Sequence, residues 1–207
     1  MPNRLDPKRT ALVLVDAQND FYHADGALAR GGFDLPERRP FAEATIRLCD
    51  GCREAGVLLV GSAFTLISDT AGEALVPQFL RDLGVQPVRG DFQVSKWGHQ
   101  LMEEIQPVHY IVDKTGPSAF FRTELDLILR HRGIESVIVA GLNSTRSVVA
   151  TAYDALSLGS KPVIARDACA DYDDAAHAAI MDALEGVFDV RASAEILAHL
   201  TASVAFN

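Results

Sequence analysis

Residues 135–149 read ESVIVAGLNSTRSVV. The apolar run Val137-Ile138-Val139-Ala140 ends at Gly141, a polar turn of Asn143, Ser144, Thr145 and Arg146 follows, and Ser147 opens an apolar segment with helical character. β-branched residues that run continuously rather than alternating with polar ones belong to a strand buried on both faces, as in a parallel sheet. The stretch therefore predicts a strand (137–142), a tight turn and a helix start (147–158) carrying a hydroxyl. Backbone N–H groups at such a turn lack partners within the helix and are suited to binding an anion or an oxyanion.

The same grammar extends in both directions. Thr10–Asp16 (TALVLVD) is a first buried strand ending on a carboxylate. A loop over 22–39, rich in Gly, Ala, Asp and Arg, has the length of a lid or binding segment. Pro40 starts a helix through Ala55 that Gly56 closes, and Val57–Phe64 is a second strand. A short helix is expected near Ala74–Leu83 and another over Trp97–Ile105. His109–Lys114 is a third strand, stopped by Thr115-Gly116-Pro117. Ser118 is the expected N-cap of a helix through Arg132, with Phe121, Leu125, Ile128 and Leu129 on its core face and Gly133 as its C-cap. Lys161–Arg166, a helix near Ala175–Leu184, a sixth strand at Phe188–Val190 and a helix over Ala192–Leu200 complete the chain.

Strands alternating with helices predict an α/β fold: a single-domain, doubly wound (Rossmann-like), mostly parallel six-stranded sheet with helices on both faces, occupying residues 1–207. No GxGxxG or GxxxxGK[ST] follows any strand, so a dinucleotide or nucleoside triphosphate has no support.

Composition narrows the function classes. The 207 residues carry a net charge of −9 without a dense Lys/Arg run, which argues against a nucleic-acid or anionic-membrane surface. No apolar run approaches a membrane span, and the N-terminus MPNRLDPKRT lacks a signal core, so a cytoplasmic location is expected. Cys49 and Cys52 form a CxxC, but Phe41, Thr45, Leu48, Cys52 and Ala55 recur at helical spacing, and no second Cys pair completes a zinc site; the pair reads as core. Cys169 is the third cysteine.

Three strands end in chemically useful groups: Asp16, Lys114 and the turn before Ser147. In a doubly wound sheet these share the carboxyl edge, where such sheets bind ligands. An Asp–Lys pair keeps the lysine charged while the carboxylate can still accept a proton. Taken singly, Asp16 is also a possible turn cap and Lys114 a solvated strand end.

The segments LVLVDAQNDF (12–21), VDKTGPSAFFRTELDLILRHRGIESVIVAGLNSTRSVVATAYDAL (112–156) and PVIARDACADYDDAAH (162–177) resemble the isochorismatase-like hydrolases, or cysteine hydrolases. This superfamily includes nicotinamidases, N-carbamoylsarcosine, ureidoacrylate and maleamate amidohydrolases, and isochorismatases. The resemblance runs in order along essentially the whole chain. It implies that Asp16 is the general base, that Lys114 stabilises the charged intermediate, and that Ser147 stands where relatives carry the nucleophilic cysteine. It also implies a cis peptide at Leu142–Asn143, which directs the Asn143 and Ser147 N–H groups to an oxyanion. Ser147 is a departure, because a hydroxyl is far less ionised than a thiol. It is consistent with a Cys-to-Ser change that inactivates the site, with nucleophile-free hydrolysis as in the isochorismatase branch, or with a serine nucleophile or a site that only binds. The segment after Ser147 looks more like the N-carbamoylsarcosine and maleamate branch, which favours an amidohydrolase.

Phe21, Trp97, Phe120 and Arg146 are the remaining pocket candidates. Each has a plainer alternative: packing for the aromatics, and solvation or a subunit contact for Arg146. After the second strand, Ala63-Phe64-Thr65-Leu66 lacks the Asp-x-His pair of the nicotinamidases, and the six histidines are scattered, so no metal or other cofactor is expected. The expected partner is a small-molecule substrate, and the resemblance implies a homo-oligomer, dimer or tetramer.

Overall fold

The computed structural model describes residues 5–35 and 38–204. Six strands, β1 (Thr10–Val15), β2 (Leu58–Phe64), β3 (Tyr110–Lys114), β4 (Ser136–Leu142), β5 (Lys161–Ala170) and β6 (Asp189–Arg191), form one sheet in the order β3-β2-β1-β4-β5-β6. Every neighbouring pair is parallel. The order reverses between β1 and β4, and crevices at such a switch point are the usual ligand site of open α/β sheets.

The helices are α1 (Asn19–Tyr22), α2 (Ala27–Arg30), α3 (Arg38–Glu54), α4 (Gln78–Asp82), α5 (Leu125–His131), α6 (Val149–Ser157), α7 (Asp174–Glu185) and α8 (Ser193–Val204). Two apolar cores lie on opposite faces of the sheet, and β1 feeds both by alternation. Leu12 and Leu14 join Phe41 and Leu48 of α3 and Ile196 of α8. Ala11, Val13 and Val15 join Leu129 of α5, Ala152 and Ala155 of α6 and Leu184 of α7. Cys52 is fully buried in the first core, as its helical spacing predicts, and Cys49 is buried beside it.

β1 and β4 approach very closely at the switch point. A Cβ on Gly141 would lie 2.0 Å from the Val15 carbonyl oxygen, and its φ of 125° is one that side-chain-bearing residues avoid. The ends of β1 and β2 are tied together by Gln18. Its Nε2 donates to the Phe64 and His99 carbonyls (3.1 and 2.9 Å), and its Oε1 accepts from the Phe64 N–H (2.7 Å).

Several expectations need correction. The predicted loop over 22–39 contains the one-turn helix α2, and residues 36 and 37 of it lie outside the described residues. Only a single 3-10 turn, Glu103–Ile105, forms within the helix expected over Trp97–Ile105. The Gly98 and Gln100 carbonyls instead accept from the Asp20 and Asn19 N–H groups (2.8 and 2.9 Å), which draws this segment over α1. The helix expected from Ser118 begins at Leu125. Ser118 Oγ accepts from the Phe120 N–H (3.1 Å) and Arg122 is left-handed (φ 57°), so the chain turns before it coils. Phe121, expected in the core, is 54% exposed beneath the Arg122 guanidinium, and Phe120 is the buried ring. β5 continues four residues past the predicted Arg166, because its pairing with β4 jumps from Val139↔Ile164 to Gly141↔Cys169. The polar Arg166-Asp167 thus sits in an irregularity inside the strand rather than at its end.

Candidate active site

An all-parallel sheet delivers every strand's carboxyl end to one edge. Asp16 follows β1, Lys114 ends β3, Asn143 follows β4 and Asp171 follows β5. Lys114 lies opposite Phe64 in the β2–β3 register and reaches past that ring, 5.6 Å from its centroid, toward β1. Its Nζ donates to Asp16 Oδ2 (2.8 Å) and to the Gly116 carbonyl (2.9 Å). Both side chains of this ion pair are 1% exposed.

Asp16 is held in the left-handed region (φ 51°) while its N–H donates to the Ser62 carbonyl at 2.9 Å. Asp tolerates this conformation better than most residues do, and the bend turns its carboxylate off the strand. Burial pushes the Asp16 carboxyl above its ordinary value of 3.8, outweighing the opposing Lys114 charge and the Ser147 hydroxyl and Phe64 N–H nearby. Asp16 Oδ1 is buried without a partner of good hydrogen-bond geometry. One carboxylate oxygen is thus committed to Lys114 and the other is available for a proton.

The segment after β4 does not enter its helix directly at Ser147. The Leu142–Asn143 peptide is cis, as the resemblance implies. The following turn, Ser144–Val148, is a single π-type turn in which the Val148 N–H donates to the Asn143 carbonyl (3.1 Å), and α6 starts only at Val149. Such wide turns accompany functional sites. Ser147 lies inside it, 7% exposed, with its carbonyl accepting from Thr151 Oγ1 (2.7 Å), which in turn accepts from the Ala119 N–H (3.0 Å).

Asp171 clamps this turn from the side. Its Oδ2 accepts from the Thr145 N–H (2.9 Å), Thr145 Oγ1 (2.7 Å) and Ser144 Oγ (3.2 Å). His177 Nδ1 lies 3.0 Å from the same Ser144 hydroxyl, and burial lowers its pKa, so the imidazole is neutral at pH 7. Tyr172 closes the network by donating to the Phe21 carbonyl (2.7 Å), and burial raises its phenol well above the ordinary value.

Asp16, Lys114, Asn143, Thr145, Ser147, Asp171 and Tyr172 line one cavity of about 810 Å³. It brings together the predicted Asp16, Lys114, Ser147, Asn143, Arg146 and Phe21, with Arg146 at the exposed rim. Leu142 is fully buried behind it. Leu28 and Phe33, from the segment predicted to serve as a binding loop, also line it. Two candidates are placed elsewhere. Trp97 lines a separate cleft, edge-on to His23 (5.0 Å between ring centroids), because its segment packs over α1. Phe120 packs in the core beneath α5 and α6. Asp171, Tyr172, Phe64 and Phe79 are lining residues that the sequence did not single out. The signal for Asp171 and Tyr172 was the small apolar Ala168-Cys169-Ala170, which continues β5 up to them.

Among the described residues, no group of three or more His, Cys, Asp or Glu side chains is arranged to hold a metal ion, and no helix is long and apolar enough to cross a membrane.

Comparison with known proteins gives the family of the chain. The ureidoacrylate amidohydrolase RutB of Acinetobacter baylyi is 30% identical over 177 residues, spanning 80% of this chain and 72% of that protein. The solved N-carbamoylsarcosine amidase of Thermoplasma acidophilum matches with a TM-score of 0.69 at 28% identity, covering 89% of this chain and 96% of that one. A cysteine hydrolase of Pseudomonas syringae pv. phaseolicola has a TM-score of 0.83 over 97% of this chain and 96% of that one, and at 21% identity the likeness is one of fold. The isochorismatase domain family matches residues 10–195, and the chain belongs to this family of isochorismatase-like hydrolases.

Proposed function

We propose that the protein hydrolyses a C–N bond of a small amide, carbamoyl or ureido acid at the Asp16–Lys114–Ser147 site. The observation that carries this is the buried ion pair with one unpartnered carboxylate oxygen, in the same cavity as the residue-147 turn. The amidohydrolase activities named for the two relatives above 25% identity favour C–N over other bonds.

In this scheme Asp16 accepts the proton of the nucleophile at position 147, and its burial-raised pKa brings it closer to the working pH than an ordinary carboxylate. The nucleophile adds to the carbonyl, the oxyanion is met by the Asn143 and Ser147 N–H groups, and Lys114 balances the charge. Collapse expels ammonia or an amine, which leaves with the proton held by Asp16. Water then releases the acid from the acyl-enzyme.

Oxygen at position 147 slows the first step, because the hydroxyl has no imidazole partner among the described residues to activate it. Ser147→Cys is expected to raise ammonia release from a responsive amide by about two orders of magnitude. Absence of ammonia from every amide, carbamoyl and ureido compound tried with that variant would overturn the proposal. Ser147 itself favours a second reading, nucleophile-free vinyl-ether hydrolysis with Asp16 as proton donor. Pyruvate released from isochorismate by the unaltered chain would establish it.

A further inference from the structure

The cavity is larger and more apolar than a short ureido acid requires. Its volume of about 810 Å³ falls in the ~300–1,000 Å³ range of sites that enclose far larger ligands. The reactive groups are the buried Asp16, Lys114 and Ser147. Most of the remaining wall is hydrocarbon, led by Phe21, Leu28, Phe33, Phe64, Phe79 and Leu83, and its other charged residues are Asp82, Arg146, Asp171 and Asp173. Phe33, Phe79 and Leu83 are only half-buried, although each packs on the main core. Phe33 stands edge-on to Tyr172 (5.9 Å), and Phe79 edge-on to Phe64 (5.6 Å).

Most other polar groups of the wall already have partners, and Arg146 is exposed to solvent at the rim. Asp171 accepts from Ser144 and Thr145, Asp173 from the Ala175 and Ala176 N–H groups, Asp82 from Gln78, and the Tyr172 hydroxyl donates to Phe21. A polar acyl chain entering past Phe33 and Phe79 would lose water and gain no hydrogen bond there. A hydrocarbon chain or ring would cover the half-buried rings and displace water from them.

We infer that the site takes a primary amide whose acyl group is an uncharged hydrocarbon of about ring size, seated between Phe33, Phe79 and Leu83 with its carbonyl carbon at residue 147. This rests on the amidohydrolase reading above and narrows its substrate class. The net reaction is amide plus water to carboxylic acid plus ammonia, with no other co-reactant.

The test has two arms. In the first, the Ser147→Cys variant is assayed for ammonia on phenylacetamide and hexanamide against 3-ureidopropionate and maleamate. The expected result is at least a tenfold higher kcat/KM for the two hydrocarbon amides, in the range that pocket contacts of a methylene or more provide. Phe79→Ser should cut that preference about tenfold, and Ala176→Phe, which adds bulk to the wall without removing packing, should shift it to shorter amides. In the second arm, binding of the same four compounds to Ser147→Ala is measured by calorimetry. Hydrocarbon amides that bind while no compound yields ammonia would support the substrate class and remove the amidohydrolase reading. Ammonia from the ureido or maleamic acid alone would keep that reading and overturn the substrate class. Equal binding of all four, or binding of none, would overturn it too.

Discussion

Replacing Lys114 with Met removes the cation from a carboxylate that water does not reach. Lys114 Nζ makes two bonds of 2.8 and 2.9 Å, to Asp16 and Gly116, and both members of the pair are 1% exposed. Breaking such a pair by removing one partner costs about 3–5 kcal/mol, chiefly from the charge left uncompensated. For a chain of this size that corresponds to a fall in Tm of about 6–20 °C. The loss should depend on pH with a definite sign. Burial already raises Asp16 above its ordinary 3.8, and without Lys114 nothing of comparable strength opposes it. Between that unfolded value and the raised folded one, the native state holds a proton that the unfolded state has lost. Stability therefore falls as pH rises through this window, by about 1.4 kcal/mol per pH unit, and the deficit is smallest in acid. Thermal melts of the parent and Lys114→Met between pH 5 and 8, with the Asp16→Asn, Lys114→Met double variant as control, read this directly. The double variant should recover most of the loss, since it buries no charge. A Tm within about 2 °C of the parent at every pH would refute the buried-pair account.

The buried thiols give a second expectation. Burial pushes Cys49 and Cys169 up to about 12 and Cys52 higher still, so the thiolate fraction at pH 8 is about one in ten thousand or less. Titration with a thiol-specific chromophore at pH 8 should find no fast-reacting cysteine in the native protein and three after unfolding; a rapid native equivalent would contradict this. At the switch point, Gly141→Ala places a methyl 2.0 Å from the Val15 carbonyl oxygen on a backbone of φ 125°. It should cost about 3–5 kcal/mol in urea unfolding, and a loss under 1 kcal/mol would show that β1 and β4 do not meet so closely.

How far the chain was legible follows from the kind of signal each part carries. β1, β2 and β4 are continuous apolar runs with sharp ends, so their placement at the sheet centre, and hence of Asp16 and the residue-147 turn at its edge, can be read from the sequence. The segments over 97–105 and 118–124 misled because their fate is set by partners distant in sequence. The Gly98 and Gln100 carbonyls are taken by α1, and a left-handed Arg122 holds off α5. For the same reason Trp97 and Phe120 were plausible pocket residues and are not in the cavity: an aromatic's identity does not reveal which side of a loop it faces. β5 was cut short because Arg166-Asp167 looks like a strand end and is a pairing irregularity, which concealed Asp171 and Tyr172. The chemistry-bearing residues were more legible than the pocket's wall. Strand ends fix the former, whereas loop packing around Phe33 and Phe79 fixes the latter.

In the proposed reaction the side chain of residue 147 receives the acyl group, with Asp16 as its base. Intact-protein mass spectrometry after brief acid quenching of Ser147→Cys with a slowly hydrolysed amide tests it most directly. The expected result is a mass increase equal to the acyl group less one hydrogen, mapped to position 147, absent from Ser147→Ala and strongly reduced in the Ser147→Cys, Asp16→Asn double variant. An acyl adduct on another residue, or ammonia release by Ser147→Cys that is undiminished when Asp16 is replaced, would contradict it.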